Sequence, residues 1–262
     1  MSALGAALAT ELLKARRSRV PWGVAAGFSV APLIMGLFMV ILKDPDGARA
    51  LGLLGAKAQL VAGTADWPTF LNMLGQAMAV GGAILFAFLT AWVFGREFAD
   101  RTVRGLLANP TPRRTIVVAK SIVVATWGVA ISAWVLALGL GVGALVGLPD
   151  WSAADAAATL LAIALAAVLT IGLQTGAAFF AGVGRGYIAP LAWTMAMVAV
   201  SQVLTVLGWG SWFPWSVPAI LAGAGGTRVE PVTAGAVVLV ALVAFAGLVA
   251  TVAWWERADQ TG

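Results

Sequence analysis

The sequence predicts an all-α polytopic membrane protein, and three observations support this prediction. The 262 residues are 61% hydrophobic and only 10% charged, whereas a soluble domain usually carries about a quarter charged residues. Several apolar runs reach the roughly 20 residues that a helix needs to cross a bilayer. The Lys and Arg residues are concentrated in alternate connecting segments, as expected for a chain that crosses a membrane repeatedly.

Six apolar runs are long enough to span a membrane, and only helices can satisfy their backbone groups in lipid. They cover residues 20–42, 70–94, 122–146, 156–183, 187–207 and 232–255. The first run follows several Arg residues, as in a signal peptide. However, it is longer than the 7–15 apolar residues of a signal peptide, and no small-residue cleavage site follows it. We therefore expect a retained membrane span.

The distribution of basic residues predicts the orientation. If the N-terminus is cytoplasmic, twelve of the 16 Lys and Arg residues fall in cytoplasmic segments and four in outer segments, which is the bias expected of membrane proteins. An even number of spans then places both termini in the cytoplasm. The net charge of +5 is explained by this bias, so nucleic acid is not an expected partner.

Residues 1–19 are predicted to form an amphipathic helix at the inner membrane interface. Leu4, Leu8 and Leu12 recur every four residues, as on one face of a helix, while Glu11 and Lys14 lie on other faces. The alternative is a frayed terminus. Residues 20–262 are predicted to form one six-helix transmembrane domain.

The segment 208–226 is predicted to be a re-entrant element on the outer side of the membrane. Trp209, Trp212 and Trp215 recur every three residues, and Trp is typical of the water–lipid boundary. The apolar run that follows them is too short to span the bilayer. The alternative is an ordinary aromatic belt.

Several classes of function are excluded by what the sequence lacks. Without Cys or His, the chain cannot form a disulfide, a thiolate metal site or a nucleophile paired with His. It has no G-x-x-x-x-G-K-[ST] loop to hold phosphates. No charge lies in the middle of a span, which argues against ion-driven transport. We therefore expect no cofactor on this chain and an energy source outside it.

The most charged interior stretch, residues 95–115, is predicted to be a cytoplasmic elbow. The helix of the second span can continue from Arg96 to Leu107, and the Pro110 region ends it. Acidic residues among the arginines indicate ion pairing as well as lipid contact. Arg113, Arg114 and Lys120 are expected to reach the lipid headgroups, so membrane lipid is an expected partner.

The elbow resembles the cytoplasmic loop between the second and third spans of type-two ABC exporter permeases, in particular the bacitracin-export and lantibiotic-immunity branch. The pattern E-F-x-x-x-T-x-R-x-L-L-x-x-P-x-x-R-x-x-x-x-x-x-K carries this resemblance and begins at Glu97. A Gly is common just before Thr102 in that family, whereas this chain has Arg101. The six spans and the aromatic outer element extend the resemblance over nearly the whole chain.

The resemblance implies a permease that works with a separate ABC ATPase subunit, which binds ATP and Mg²⁺, and with a second permease copy as a homodimer. It implies ATPase-coupling residues in the elbow: Arg96, Glu97, Phe98, Asp100, Thr102, Arg104, Leu106, Leu107 and Arg113. The second and fifth spans line the central pathway in that family, which makes Asn72, Gln76, Thr194, Ser201 and Gln202 candidates for substrate contact.

The predicted function is therefore export of a hydrophobic or amphipathic substrate, such as a drug, a peptide antibiotic or a lipid-like molecule, across the bacterial cytoplasmic membrane. The chain itself is not expected to be an enzyme. One alternative is a membrane sensor or assembly partner that transports nothing. Another is a membrane enzyme, but its carboxylates, such as Glu97, Asp150 and Asp155, are scattered over both sides of the membrane.

Overall fold

The computed structural model describes residues 2–50, 63–103, 105, 108, 111–224 and 231–257, with the backbone alone at 48–50. The predicted coupling residues Arg104, Leu106 and Leu107 lie outside the described residues. The structure confirms the all-α fold: no strand occurs in the described ranges, and six of their helices are long and apolar enough to cross a membrane.

The helices follow the predicted order. A first helix, α1 (Ala3–Arg17), leads into α2 (Arg19–Lys43), and a short α3 (Pro45–Ala50) follows. The other long helices are α4 (Trp67–Ala99), α5 (Arg113–Val146), α6 (Ala153–Val183), α7 (Ile188–Val206) and α9 (Ala234–Arg257), with a short α8 (Val217–Leu221) before the last. The end of the bundle that carries α1 is called the basic end below, since most of the Lys and Arg residues lie there.

The third span is longer than predicted. We expected it to begin at residue 122, but α5 runs for 34 residues from Arg113. At about 1.5 Å per residue such a helix is about 50 Å long, well beyond the ~30 Å hydrocarbon core. Its first turns therefore extend out of the membrane at the basic end, where they pack against α1.

The helices at the centre of the bundle approach closely at small residues. A side chain added at Gly139 or Gly143 of α5 would come within about 2.6 Å of Leu74 or Trp67 of α4. These two glycines lie four residues apart on one face of α5 and therefore serve packing inside one chain. α4 also contains a π-helical turn at Ala77–Gly81, which changes the face that its following residues present.

The short helix α8 packs against α4 and α6. Ser216, Val217 and Pro218 are buried, while Trp209 and Trp212 are about 70% exposed. Trp215 turns inward, and its ring lies edge-on to Trp193 of α7 at 5.8 Å. How deep this segment lies in the membrane stays a prediction.

Candidate functional site

Five charged side chains meet at the basic end and form what we call the basic-end ion cluster: Glu11, Lys14, Arg96, Glu97 and Lys120. They come from three helices, because Glu11 and Lys14 lie on α1, Arg96 and Glu97 on α4, and Lys120 on α5. The cluster therefore joins the N-terminal helix to the ends of the second and third spans.

Lys120 is the centre of this cluster. Its side chain is fully buried, and its Nζ donates to Glu97 Oε1 at 2.8 Å and to Glu11 Oε2 at 3.2 Å. A third hydrogen bond goes to the backbone carbonyl of Val93 at 2.7 Å. An ammonium has three donors, so all of them are used. Our expectation that Lys120 reaches the headgroups is wrong: α1 covers it and supplies a carboxylate.

The two carboxylates are also buried, at 5% exposure for Glu11 and 4% for Glu97. Glu11 was expected on a face of α1 other than that of Leu4, Leu8 and Leu12, and its carboxylate faces α4 and α5. Lys14 Nζ lies 2.6 Å from Glu11 Oε1 and 3.5 Å from Glu97 Oε1. Arg96 Nε donates to Glu97 Oε1 at 3.2 Å. A buried charge is tolerated only when it is paired and hydrogen-bonded, and here each carboxylate has several cationic partners.

Phe98 also faces the protein interior. Its ring lies edge-on to Trp255 at 5.7 Å and to Trp254 at 6.2 Å, both at the end of α9. Arg113 Nη1 donates to the carbonyl of Trp255 at 3.1 Å. The end of α9 thus holds the last turn of α4 and the first turn of α5.

The helix of the second span ends earlier than predicted. It stops at Ala99, and we had expected it to continue to Leu107. The amide of Thr102 donates to the Glu97 carbonyl at 2.8 Å, and that of Arg101 donates to the Phe98 carbonyl at 3.2 Å. These two bonds form a Schellman motif, which stops a helix by placing one residue in the left-handed region. Arg101 is that residue, with φ of 57°.

The left-handed turn explains the glycine that the resembling family carries there. Only Gly adopts this conformation without a steric cost, so Arg101 adopts the same left-handed backbone conformation at a cost in free energy. Asp100, Arg101 and Thr102 are all exposed. They form the exposed turn of the elbow, directly after the buried residues of α4.

Tyr187 precedes α7 beside this turn. Its partial burial and the negative charges of Asp100 and Glu97 raise the pKa of its hydroxyl, although Arg96 acts in the opposite direction. A side chain at Gly95 would come within 2.8 Å of the Gly186 carbonyl, so the loop before α7 packs directly on α4. The elbow is thereby in contact with the start of the fifth span.

The predicted coupling residues thus divide into two groups. Glu97 and Phe98 face inward with most of Arg96, whereas Asp100 and Thr102 face outward, and Arg113 is half-buried. Sequence reasoning missed the roles of Glu11 and Lys120. The available signal was the scarcity of acids at the basic end, because a lone carboxylate in an apolar and basic helix needs a partner.

The predicted pathway residues divide in the same way. Asn72, Gln76 and Gln202 are exposed on this chain. Thr194 and Ser201 are buried, and their hydroxyls donate to backbone carbonyls of their own helix at 3.0 and 2.8 Å. The latter two border a cavity of only about 20 Å³, room for about one water. This cavity cannot hold a drug or a peptide.

A bundle of six long apolar helices, with charges paired at one end and an exposed turn beyond them, defines a polytopic membrane protein of the transporter type. The family model for the ABC-2 family transporter protein matches residues 7–201, and the chain belongs to that family. It is also similar to the bacitracin transport permease protein BCRB of Bacillus licheniformis, with 26% identity over 181 residues that cover 68% of this chain and 85% of that protein. The chain is therefore the membrane permease subunit of an ABC exporter, a multi-pass protein of the bacterial cytoplasmic membrane.

Proposed function

We propose that a separate ATPase subunit docks on the exposed turn of the elbow and that the basic-end ion cluster transmits its movement to the bundle. One observation carries this proposal: Asp100 and Thr102 are exposed three and five residues after the buried Glu97. A displacement of the turn therefore acts directly on a carboxylate that is bonded to Lys120 and close to Lys14.

The ion cluster suits this role because it makes three helices move together. Lys120 bonds to carboxylates of both α1 and α4, and buried pairs of this kind cost about 3–5 kcal/mol to break. That is more than an exposed contact contributes. A push on the elbow is thus expected to move α1, α4 and α5 as one body before it separates them.

We further propose that two copies form the working unit and that the pathway runs between them. Asn72 and Gln76 are four residues apart and so share one face of α4, and both are exposed on this chain. In α7 the buried residues are only Pro190, Thr194 and Ser201, and Gln202 is exposed. Neutral polar side chains beside apolar ones suit an amphipathic substrate. The similar protein of Bacillus licheniformis is a bacitracin transport permease, which supports a substrate of that kind.

The docking proposal is tested by replacing the exposed turn and leaving the buried cluster intact. Asp100→Ala with Thr102→Ala is expected to weaken retention of the ATPase subunit about fivefold, since a significant interface contact contributes about 1 kcal/mol. Co-purification in mild detergent measures this retention, and the melting temperature of the permease should not change. Glu97→Ala with Phe98→Ala would be an unsuitable test, because both side chains are part of the folded interior.

A matched control uses the same residue types at the opposite end of the bundle. Asp155→Ala with Thr159→Ala removes an exposed Asp and a nearby Thr in the first turns of α6, and retention of the ATPase subunit should stay at the wild-type level. Equal retention by both double variants would contradict docking on the elbow.

A further inference from the structure

A large groove opens sideways between α1, α2 and α5, away from the residues discussed above. Its volume is about 1020 Å³. Small residues form its floor, and three tryptophans form its walls; the lining includes Trp22, Ala26, Ser29, Trp127, Ala130 and Trp134. Leu12 and Arg16 of α1 close its end at the basic side.

The walls of the groove are held in place by specific contacts. The rings of Trp22 and Trp127 meet edge-on at 5.1 Å, and Trp134 Nε1 donates to Ser29 Oγ at 2.9 Å. Trp22 Nε1 donates to the backbone carbonyl of Arg16 at 3.3 Å. The groove is therefore built into the fold and is not a gap between loosely packed helices.

The depth of the groove matches one leaflet of a bilayer. Arg16 lies at the junction of α1 and α2, and Ser29 is ten residues beyond the start of α2, or about 15 Å along the helix. Half of the ~30 Å hydrocarbon core is also about 15 Å. The groove thus runs from the headgroup level at Arg16 to the middle of the membrane at Trp134.

The charge at the mouth of the groove selects the occupant. Arg16 is exposed and makes no ion pair with any carboxylate of the described residues. Among the residues that the structure describes, no acidic one lines the groove. A second copy of the chain is a poor fit, because a two-fold contact on this face would bring the Arg16, Arg17 and Arg19 sets of both copies together.

We propose that this groove binds an anionic phospholipid of the leaflet at the basic end, with its phosphate at Arg16 and an acyl chain between the tryptophans. Trp is suited to this position because its ring is apolar and its N–H is polar. The site is separate from the proposed pathway on α4 and α7. It depends on the fold alone and not on the proposed docking of an ATPase.

Lipids with brominated acyl chains, which quench tryptophan fluorescence on contact, test this proposal. The purified full-length permease is reconstituted in phosphatidylcholine vesicles with small fractions of brominated phosphatidylglycerol or, in parallel, of brominated phosphatidylcholine. Quenching is expected at about fivefold lower fractions of the anionic lipid, the ratio that one Arg near a headgroup produces. Equal quenching by the two lipids would overturn the proposal.

Matched variants separate the groove from general attraction to the basic surface. Arg16→Gln should abolish the preference, whereas Arg17→Gln, an equal loss of charge one residue away, should keep it. Ala130→Phe should block the groove, whereas Val129→Phe, beside it on α5 but outside the lining, should not. If Arg17→Gln acts as strongly as Arg16→Gln, or Ala130→Phe leaves quenching unchanged, no specific site exists.

Efficient disulfide cross-linking of Ala26→Cys between two chains would likewise overturn the proposal, because a second copy would then cover the groove.

Discussion

Lys120 shows at the scale of single residues how the chain tolerates a charge in its interior. Burial of an ammonium is costly, and the structure offsets this cost with two carboxylates and a backbone carbonyl. The pairs are made between helices, so the same contacts that neutralise Lys120 also fix α1 against α4 and α5. A residue that a sequence suggests as a membrane anchor is therefore part of the interior.

Lys120→Met is expected to destabilise the protein by about 3–5 kcal/mol, because it removes the fully buried cation and leaves Glu11 and Glu97 with only the more exposed Lys14 and Arg96 as partners. Thermal unfolding in detergent, followed together with the amount of protein in the membrane, measures this effect. Arg114→Met is the control: Arg114 is an exposed residue on the same helix, and its replacement should change stability by no more than about 0.5 kcal/mol. A melting temperature of Lys120→Met equal to wild type would show that the cluster contributes nothing to stability.

The end of α4 is the most informative feature at the scale of elements. The helix stops because Arg101 adopts the left-handed conformation and the amides of Arg101 and Thr102 bond back to it. This stop places Glu97 inside the cluster and Asp100 outside within a single turn. A helix that continued to Leu107 would have kept both on one rigid cylinder.

Arg101→Gly is expected to stabilise the elbow by about 1 kcal/mol, since glycine removes the steric cost of a left-handed φ. The measurement is the melting temperature of the purified permease, which should rise by a few degrees. Arg101→Ala is the control, because it removes the same charge but keeps a Cβ atom and should give no gain. A rise of the same size for both variants would mean that loss of charge, and not backbone strain, is responsible.

At the scale of the whole molecule, the charge bias predicts which end of the bundle faces the cytoplasm. The native chain has no Cys, so a single introduced Cys is the only thiol that a reagent can label, and its labelling shows on which side of the membrane it lies. In intact cells, an impermeant thiol reagent should label Ala154→Cys, at the opposite end, and should fail to label Ala108→Cys in the elbow until the cells are opened. Labelling of Ala108→Cys from outside would reverse the topology.

The proposed unit of two copies predicts cross-links on one face only. Gln76→Cys, on the exposed face of α4, should give covalent dimers with a short bifunctional thiol reagent in native membranes. Val238→Cys on α9, which is 56% exposed, should stay monomeric under the same conditions. Cross-linking of Val238→Cys and not of Gln76→Cys would place the contact between copies, and with it the pathway, on a different face.

The sequence by itself determined the fold class and the number of spans, because hydropathy and the positions of basic residues are local properties that decide how a segment inserts into the bilayer. The family followed from the local residue pattern of the elbow. The pattern beginning at Glu97 also marked the region of the elbow. The sequence did not determine which way each elbow residue faces, where α4 ends, or how far α5 extends.

Only the tertiary structure decided that Glu11 and Lys120, 109 residues apart, share one buried cluster, and that Glu97 and Phe98 face inward. Periodicity predicts one apolar face per helix, but α1 packs beside α4 and α5 at once, so its carboxylate side is covered. The sequence did not predict the groove beside Arg16, since its lining residues come from three helices. Contacts between distant segments depend on how the helices pack, and no local pattern encodes that packing.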